Sequence, residues 1–280
     1  MQPHMFKPQP GQYQILYFPW ESTKFLEKWT DICNSDGVDE VWTTSDWCKE
    51  IFIAEGITKP ITVFNHGIES IWTPKKRIRK GPVRYLNMGG PANRKGWQES
   101  FDAFRDIFGD DPRKATLTIK ANERSLVRWF DERQFVHSPS ELRNVKVITK
   151  KLSTPELVKM YHEHDVNIYP SYGEGWGFIP HQSLATGMIT ITTDEWAPYS
   201  KYLGDMKLKS HYGPTKWPGE HEGDVCYPDT NHLRDLLKLS YDDFENQSNY
   251  FFKQSFSVHE EYDWKNLTEE AFEGVVKKFS

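Results

Sequence analysis

The chain has 280 residues, 37% of them hydrophobic and 15% aromatic, which is enough for two modest packed domains and excludes a disordered polymer. Its 35 Lys and Arg against 40 Asp and Glu leave a formal net charge of −5, so no overall positive field draws in nucleic acid. Cys33, Cys48 and Cys226 are scattered, form no CxxC pair and read as buried thiols in a reducing compartment. The Pro- and Gln-rich start lacks the apolar run of a signal peptide, and no stretch approaches the ~20 apolar residues of a membrane span, so the expected location is the cytoplasm.

Short β-rich runs alternate with amphipathic stretches along the chain, the pattern of βαβ units and a parallel sheet. Strands are expected at residues 14–18, 39–44 and 61–65, with helices at 22–33 and 45–55. Residues 70–82 combine Pro, Gly and the cations Lys75, Lys76, Arg77, Arg79 and Lys80 without periodicity. They read as a solvated linker between two lobes; the alternative is a contact with an acidic polymer. Strands then follow at 84–88, 115–120, 145–149, 165–169 and 188–192, with helices at 95–108, 154–162 and 178–187. Five strands in this arrangement make one Rossmann-like sheet. The last fifty residues read as mostly helical, ending in an amphipathic helix.

The segment VNIYPSYGEGWGFIPHQSLATGMITITT, residues 166–193, runs from an apolar strand through a Gly-rich turn into a helix and another apolar strand. Ligands of open α/β sheets bind outside the carboxyl ends of the strands. Gly173, Gly175 and Gly177 would let backbone amides approach an anion there, at the positive end of a helix starting near Phe178.

This segment resembles the donor site of the retaining glycosyltransferases of family four, which have the two-lobed GT-B fold. Pro170, Ser171, Glu174, Gly175, Trp176, Gly177, Phe178, Gln182 and Gly187 fall on the family pattern. The resemblance implies that Glu174 holds the donor sugar's hydroxyls as a catalytic-site carboxylate. It also implies that Gly175, Trp176, Gly177 and Phe178 meet sugar and phosphate, and that position 182 binds ribose. The family has Glu at that last position; Gln182 keeps a hydrogen-bonding group and removes the charge.

Upstream, RYLNMGGPANRKGWQESFDAF resembles the first unit of the family's donor lobe. The Gly89-Gly90 turn precedes Arg94 and Lys95, and Lys95 matches the family lysine that meets the diphosphate. The family's partner arginine falls on Gly90, leaving Arg94 or Lys120 to compensate. By the same resemblance, Ile148 and Thr149 lie beside the nucleobase, and His4 occupies the position of the active-site histidine.

The fold class implied is α/β of GT-B type, with a complete donor lobe at 81–255 and a truncated Rossmann-like acceptor-side lobe at 1–80. A C-terminal helix at 256–280 is expected to pack back toward the first lobe, and the shortened lobe suggests a phage-type member. The expected partner is a nucleoside diphosphate sugar, consumed as co-substrate with no cofactor; the acceptor is a glycan, a protein or a modified nucleic acid. No Asp-x-Asp pair occurs, so a metal-bridged donor is disfavoured. Two other readings are a nucleotide-sugar-binding subunit inactive by itself and an enzyme that glycosylates DNA bases through the basic run.

Overall fold

The computed structural model describes residues 2–89, 93–121 and 142–279. Strands β1 (Ile15–Tyr17), β2 (Glu40–Thr43) and β3 (Ile61–Val63) form a parallel sheet in that order, connected through α1 (Trp29–Asn34) and α2 (Asp46–Ala54). The Ser45 hydroxyl accepts from the Cys48 amide at 3.2 Å and caps α2. The sheet buries Leu16, Phe18, Trp20, Phe25, Trp29 and Phe52 in a core of its own. The helix expected over 22–33 shortens to α1. Lys28, directly before it, has φ 68, and Lys24 forms an antiparallel bridge with Glu222, so tertiary pairing overrides the local helical pattern.

The second sheet contains β4 (Val83–Met88), β5 (Ala115–Lys120), β6 (Val145–Ile148), β7 (Val166–Tyr169), β8 (Ile189–Thr193) and β9 (Lys207–Leu208). All six pair in parallel, in the order β6-β5-β4-β7-β8-β9, one strand more than expected. Such a sheet is covered on both faces, which is why β7 and β8 are buried at every position. Helix α3 (Trp97–Phe108) follows β4 and turns Trp97, Phe101, Phe104 and Phe108 into the core at helical spacing. Helices α4 (Thr154–Glu163) and α5 (Phe178–Ala185) each precede the next strand. Because β5 and β6 lie to one side of β4 while β8 and β9 lie beyond β7, the strand order reverses between β4 and β7. A crevice opens at that point, outside the carboxyl ends of the two strands.

An antiparallel hairpin of β10 (Ser210–Pro214) and β11 (Asp224–Pro228) follows, and its pattern was not anticipated. It reaches the N-terminal lobe, where the Thr23 amide donates to the Asp224 carbonyl at 2.9 Å and the Trp47 indole to the Tyr212 hydroxyl at 3.0 Å. Helices α6 (Thr230–Asp242), α7 (Phe244–Glu261) and α8 (Trp264–Val276) complete the chain. Helix α8 lies on the three-stranded sheet, with Phe272 against Trp42 and Phe64, and Lys278 donating to Glu40 at 2.5 Å. No helix among the described residues is long and apolar enough to cross a membrane.

The basic run is not a solvated linker throughout. Arg77 is 2% exposed, and its guanidinium donates to the carbonyls of Lys75, Tyr161, His164 and Thr186. Tyr161 and Thr186 stand at the ends of α4 and α5; their carbonyls also accept from the His164 and Lys75 amides, and the one cation ties the two negative helix ends together. Arg79 lies over the Tyr241 ring, 4.1 Å from its centre. Cys33, Cys48 and Cys226 are buried and free.

Candidate active site

The crevice at the β4 and β7 ends is built from two short connections. After β4, a 3₁₀ turn over Asn93–Lys95 leads through Gly96 into α3. Gly96 has φ +65, and a Cβ there would come within 2.1 Å of the Pro170 carbonyl oxygen; this position requires glycine, and it fixes the Arg94-Lys95 turn against the β7 end. Lys95 therefore sits just before the helix rather than within its first turn. After β7, residues 170–177 lead to Gly177, whose φ of 79 starts α5.

Glu174 is the centre of the arrangement. Its Oε1 accepts from Lys95 Nζ at 2.5 Å, the Ser171 hydroxyl at 2.7 Å and the Tyr169 hydroxyl at 2.8 Å, with an Arg94 nitrogen at 3.4 Å. Burial alone pushes this carboxyl up, but Lys95 and Arg94 outweigh it and hold it down at about 2. Glu174 is thus a fixed anion at neutral pH. Arg94 also donates to the Gly173 carbonyl and lies 3.3 Å from Glu21 of the N-terminal lobe. Burial pushes the Glu21 carboxyl up, Arg94 opposing and the nearby Glu174 reinforcing.

Lys95, Glu174, Gly175, Trp176, Gly177 and Phe178 line one cavity of about 270 Å³. Pro19, Glu21 and His66 enter it from the N-terminal lobe, and Tyr169 and Ile179 complete its lining. A second cavity of about 440 Å³ is lined by Gly89, Lys120, Thr149 and Gln182, with Leu152, Leu157, Tyr161 and Ile179 among its apolar walls. Ile179 belongs to both, so the two adjoin across the start of α5. Gln182 Oε1 accepts from the Tyr161 hydroxyl at 3.2 Å, which orients the amide at the cavity wall. Lys120 Nζ donates to the Ala121 carbonyl at 2.8 Å.

Of the residues singled out by sequence, this brings together Glu174, Lys95, Gly175, Trp176, Gly177 and Phe178 at one cavity, with Arg94 buried behind Glu174, and Gly89, Lys120, Thr149 and Gln182 at its neighbour. Ile148 instead packs against the hydrophobic core. His4 is exposed in a 3₁₀ turn with its ring 5.9 Å from that of Trp29, and does not line either cavity. Gly90 lies outside the described residues. Glu21, His66, Tyr169 and Ser171 are site residues that the sequence reading did not select. Tyr169 and Ser171 flank Pro170 in the recognised segment, so their positions were legible; Glu21 and His66 arrive only through the docking of the two lobes.

The loop glycines are also packed closely against the rest of the chain. A Cβ on Gly173 would meet the Glu21 carbonyl oxygen at 2.1 Å, and one on Gly175 would meet Pro19 Cβ at 2.3 Å. A Cβ on Gly177 would meet the Tyr199 hydroxyl at 2.6 Å and Trp196 at 2.7 Å. These three positions admit close approach by the protein itself. Thr44 Oγ1 adds a hydrogen bond to the Gly175 carbonyl at 2.6 Å, fixing the N-terminal lobe to the loop.

No protein-family model matches the chain. Two curated glycogen synthases of Mycobacterium tuberculosis strains are each 28% identical to it over 136 residues, 48% of this chain and 32% of theirs. The match therefore spans about a third of the length of those relatives. Among solved structures, the pneumococcal O-GlcNAc transferase GtfA in complex with UDP and GlcNAc gives a TM-score of 0.63 at 16% identity, covering 95% of this chain and 52% of that one. A UDP-forming trehalose-phosphate synthase from Burkholderia xenovorans gives 0.70 at 10% identity, covering 94% and 68%. TarM gives 0.68 at 12% identity, covering 94% and 50%. Parallel sheets in two lobes, with a crevice at the strand-order reversal facing the smaller lobe, are the α/β architecture of the GT-B fold.

Proposed function

We propose that the chain is a glycosyltransferase of the family-four kind, transferring a sugar from a nucleoside diphosphate to an acceptor hydroxyl with retention of configuration and without a metal ion. The observation that carries this reading is the pair of adjoining cavities at the β4 and β7 ends, one mainly apolar with Lys120 and Lys151 in its lining and one holding a buried carboxylate paired with Lys95. On this reading the nucleoside occupies the cavity of Gly89, Thr149 and Gln182, with Lys120 at its edge. The diphosphate crosses at Ile179, where the amides at the start of α5 and Lys95 meet its charge. The sugar then lies against Glu174, whose permanent charge suits it to accept hydrogen bonds from hydroxyls. The GtfA complex with UDP and GlcNAc and the UDP-forming synthases support the choice of donor class.

In the reaction, the acceptor oxygen forms a bond to the anomeric carbon while the bond from that carbon to the diphosphate oxygen breaks. The nucleoside diphosphate leaves with the electron pair, and the acceptor hydroxyl's proton passes to the departing diphosphate oxygen. Charge develops on the departing oxygens, where the α5 amides are already oriented and Lys95 lies in the same cavity. Lys95 must pass from Glu174 toward phosphate, or share itself between them, when donor binds.

The test is a panel of UDP-, GDP- and ADP-sugars scored for thermal stabilisation, hydrolysis and transfer, with product anomers assigned by NMR. One donor class should stabilise the protein and be turned over from an α-linked donor to an α-linked product. A β-linked product would refute retention, and binding without turnover would point to a nucleotide-sugar-binding subunit. The DNA-base reading loses support because Arg77 and Arg79 of its basic run are engaged within the fold.

A further inference from the structure

The carboxylate cavity has an N-terminal half that the donor reading does not use. Pro19, Glu21 and His66 line it from that side, and among the described lining residues Glu21 is the one charged group that the N-terminal lobe contributes. Glu21 is held firmly. Its carbonyl oxygen sits where a Cβ on Gly173 would be, and its Oε1 takes an Arg94 nitrogen at 3.3 Å. Its Oε2 lies 3.9 Å from His221 Nδ1, beyond hydrogen-bond length, and that nitrogen is buried without a partner. One carboxylate oxygen is thus committed to Arg94 and the other is not.

The charges around it are already matched. Lys95 is committed to Glu174, and Arg94 lies between Glu174 and Glu21. A donor diphosphate would compete for these same cations, so among the described lining residues an acceptor entering from the N-terminal side meets a carboxylate and no spare positive charge. Its other surroundings are flat and weakly polar. His66 lies against Phe178, the rings tilted by 37° with centres 4.6 Å apart, and stands edge-on to Trp176, while Phe178 is 46% exposed. Burial pushes the His66 imidazole down to about 4, so it is neutral at pH 7. A carboxylate oxygen beside aromatic faces suits a ring that offers hydroxyl donors along its edge and C–H groups on its face.

We propose that Glu21 and His66 form the acceptor subsite, and that it selects an uncharged polyhydroxylated acceptor, a sugar residue in chemical class, over a phosphorylated or carboxylated one. Glu21 accepts a hydrogen bond from an acceptor hydroxyl and repels an anionic substituent, while His66 and Phe178 provide the stacking surface. This rests on the glycosyltransferase reading.

The experiment uses the full chain. UDP-glucose, UDP-N-acetylglucosamine, GDP-mannose and ADP-glucose are screened for a rise in melting temperature. With the best donor saturating, glucose, mannose and N-acetylglucosamine are compared with their 6-phosphates by release of nucleoside diphosphate. The expected result is a kcat/KM at least about tenfold higher for the neutral sugars, lowered about tenfold by Glu21→Gln while the donor-induced melting rise persists. Glu21→Lys should move the preference toward the phosphates. Equal or better use of the phosphates by the unsubstituted chain, or transfer to none of the neutral sugars, overturns the proposal. So does a Glu21→Gln variant that loses donor stabilisation in place of acceptor rate, since Glu21 would then serve the donor. Absence of stabilisation by every donor is a different result, which refutes the glycosyltransferase reading itself.

Discussion

Two buried carboxylates among the described residues each accept from a lysine at 2.5 Å, yet only Glu174 lies at the candidate site. Glu174 lies at the reversal point of the six-stranded sheet, with a second cation, a helix start and an open cavity beside it. Glu40 lies in the three-stranded sheet beneath α8, satisfied by Lys278, Thr62 and Tyr13. Its groove, about 320 Å³, is walled by α8 and the β2 and β3 side chains. An ion pair is therefore no sign of chemistry by itself. What separates the two is topology: at the β4 and β7 ends the backbone delivers amides and cations to one point, whereas at Glu40 the charges close a seam.

That contrast can be broken at several places. The largest expected effect is on turnover: Glu174→Gln should lower the rate of transfer by about 10²-fold or more, with Lys95→Ala acting chiefly on donor affinity. Steady-state kinetics with a saturating acceptor separate the two, and a Glu174→Gln enzyme with unaltered rate would remove the carboxylate from the mechanism. Next comes stability, where Arg77→Met removes four hydrogen bonds, two of them buried, and should cost about 3 kcal/mol by denaturant unfolding. A loss below about 1 kcal/mol would show that water replaces the guanidinium.

The pH dependence sharpens the comparison further. With the Glu174 pKa depressed from 4.5 to about 2 in the folded chain, its stabilisation is fully present above 4.5 and is lost as pH falls toward 2. Unfolding curves of the native chain and Glu174→Gln should converge over that window and not above it. The smallest effect is expected from Lys278→Ala: its side chain is 39% exposed, so about 1 kcal/mol at most, with donor binding unaltered. A Lys278→Ala chain that lost donor binding would make the seam part of the site.

Much of the donor lobe was legible because its strands are buried on both faces and its motifs are local. The runs at β4, β5, β7 and β8 are short, apolar and bounded by Gly, Pro or charged residues, and Glu174, Gly175, Trp176 and Gly177 follow one another in one segment. Features made by distant contacts were not legible. Lys24 pairs with Glu222 and ends the expected helix; β9 has two residues, too few for a pattern. The hairpin strand Ser210–Pro214 is half-buried or exposed throughout and carries no alternating apolar signal. Arg77 sits in a run of cations, and nothing local marks it as the one that is buried. Glu21 lies far from Arg94 in sequence, and only the docking of Pro19 and Glu21 against the loop glycines brings them together.

The central claim is that one nucleoside diphosphate sugar spans both cavities at the reversal point. A crystal structure of the chain with its best-stabilising donor tests this most directly. The account predicts the base beside Thr149 and Gly89, the diphosphate at Lys95 and the α5 start, and the sugar's hydroxyls on Glu174. Donor bound elsewhere, with Lys95 and Glu174 still paired and the cavity empty, would contradict it.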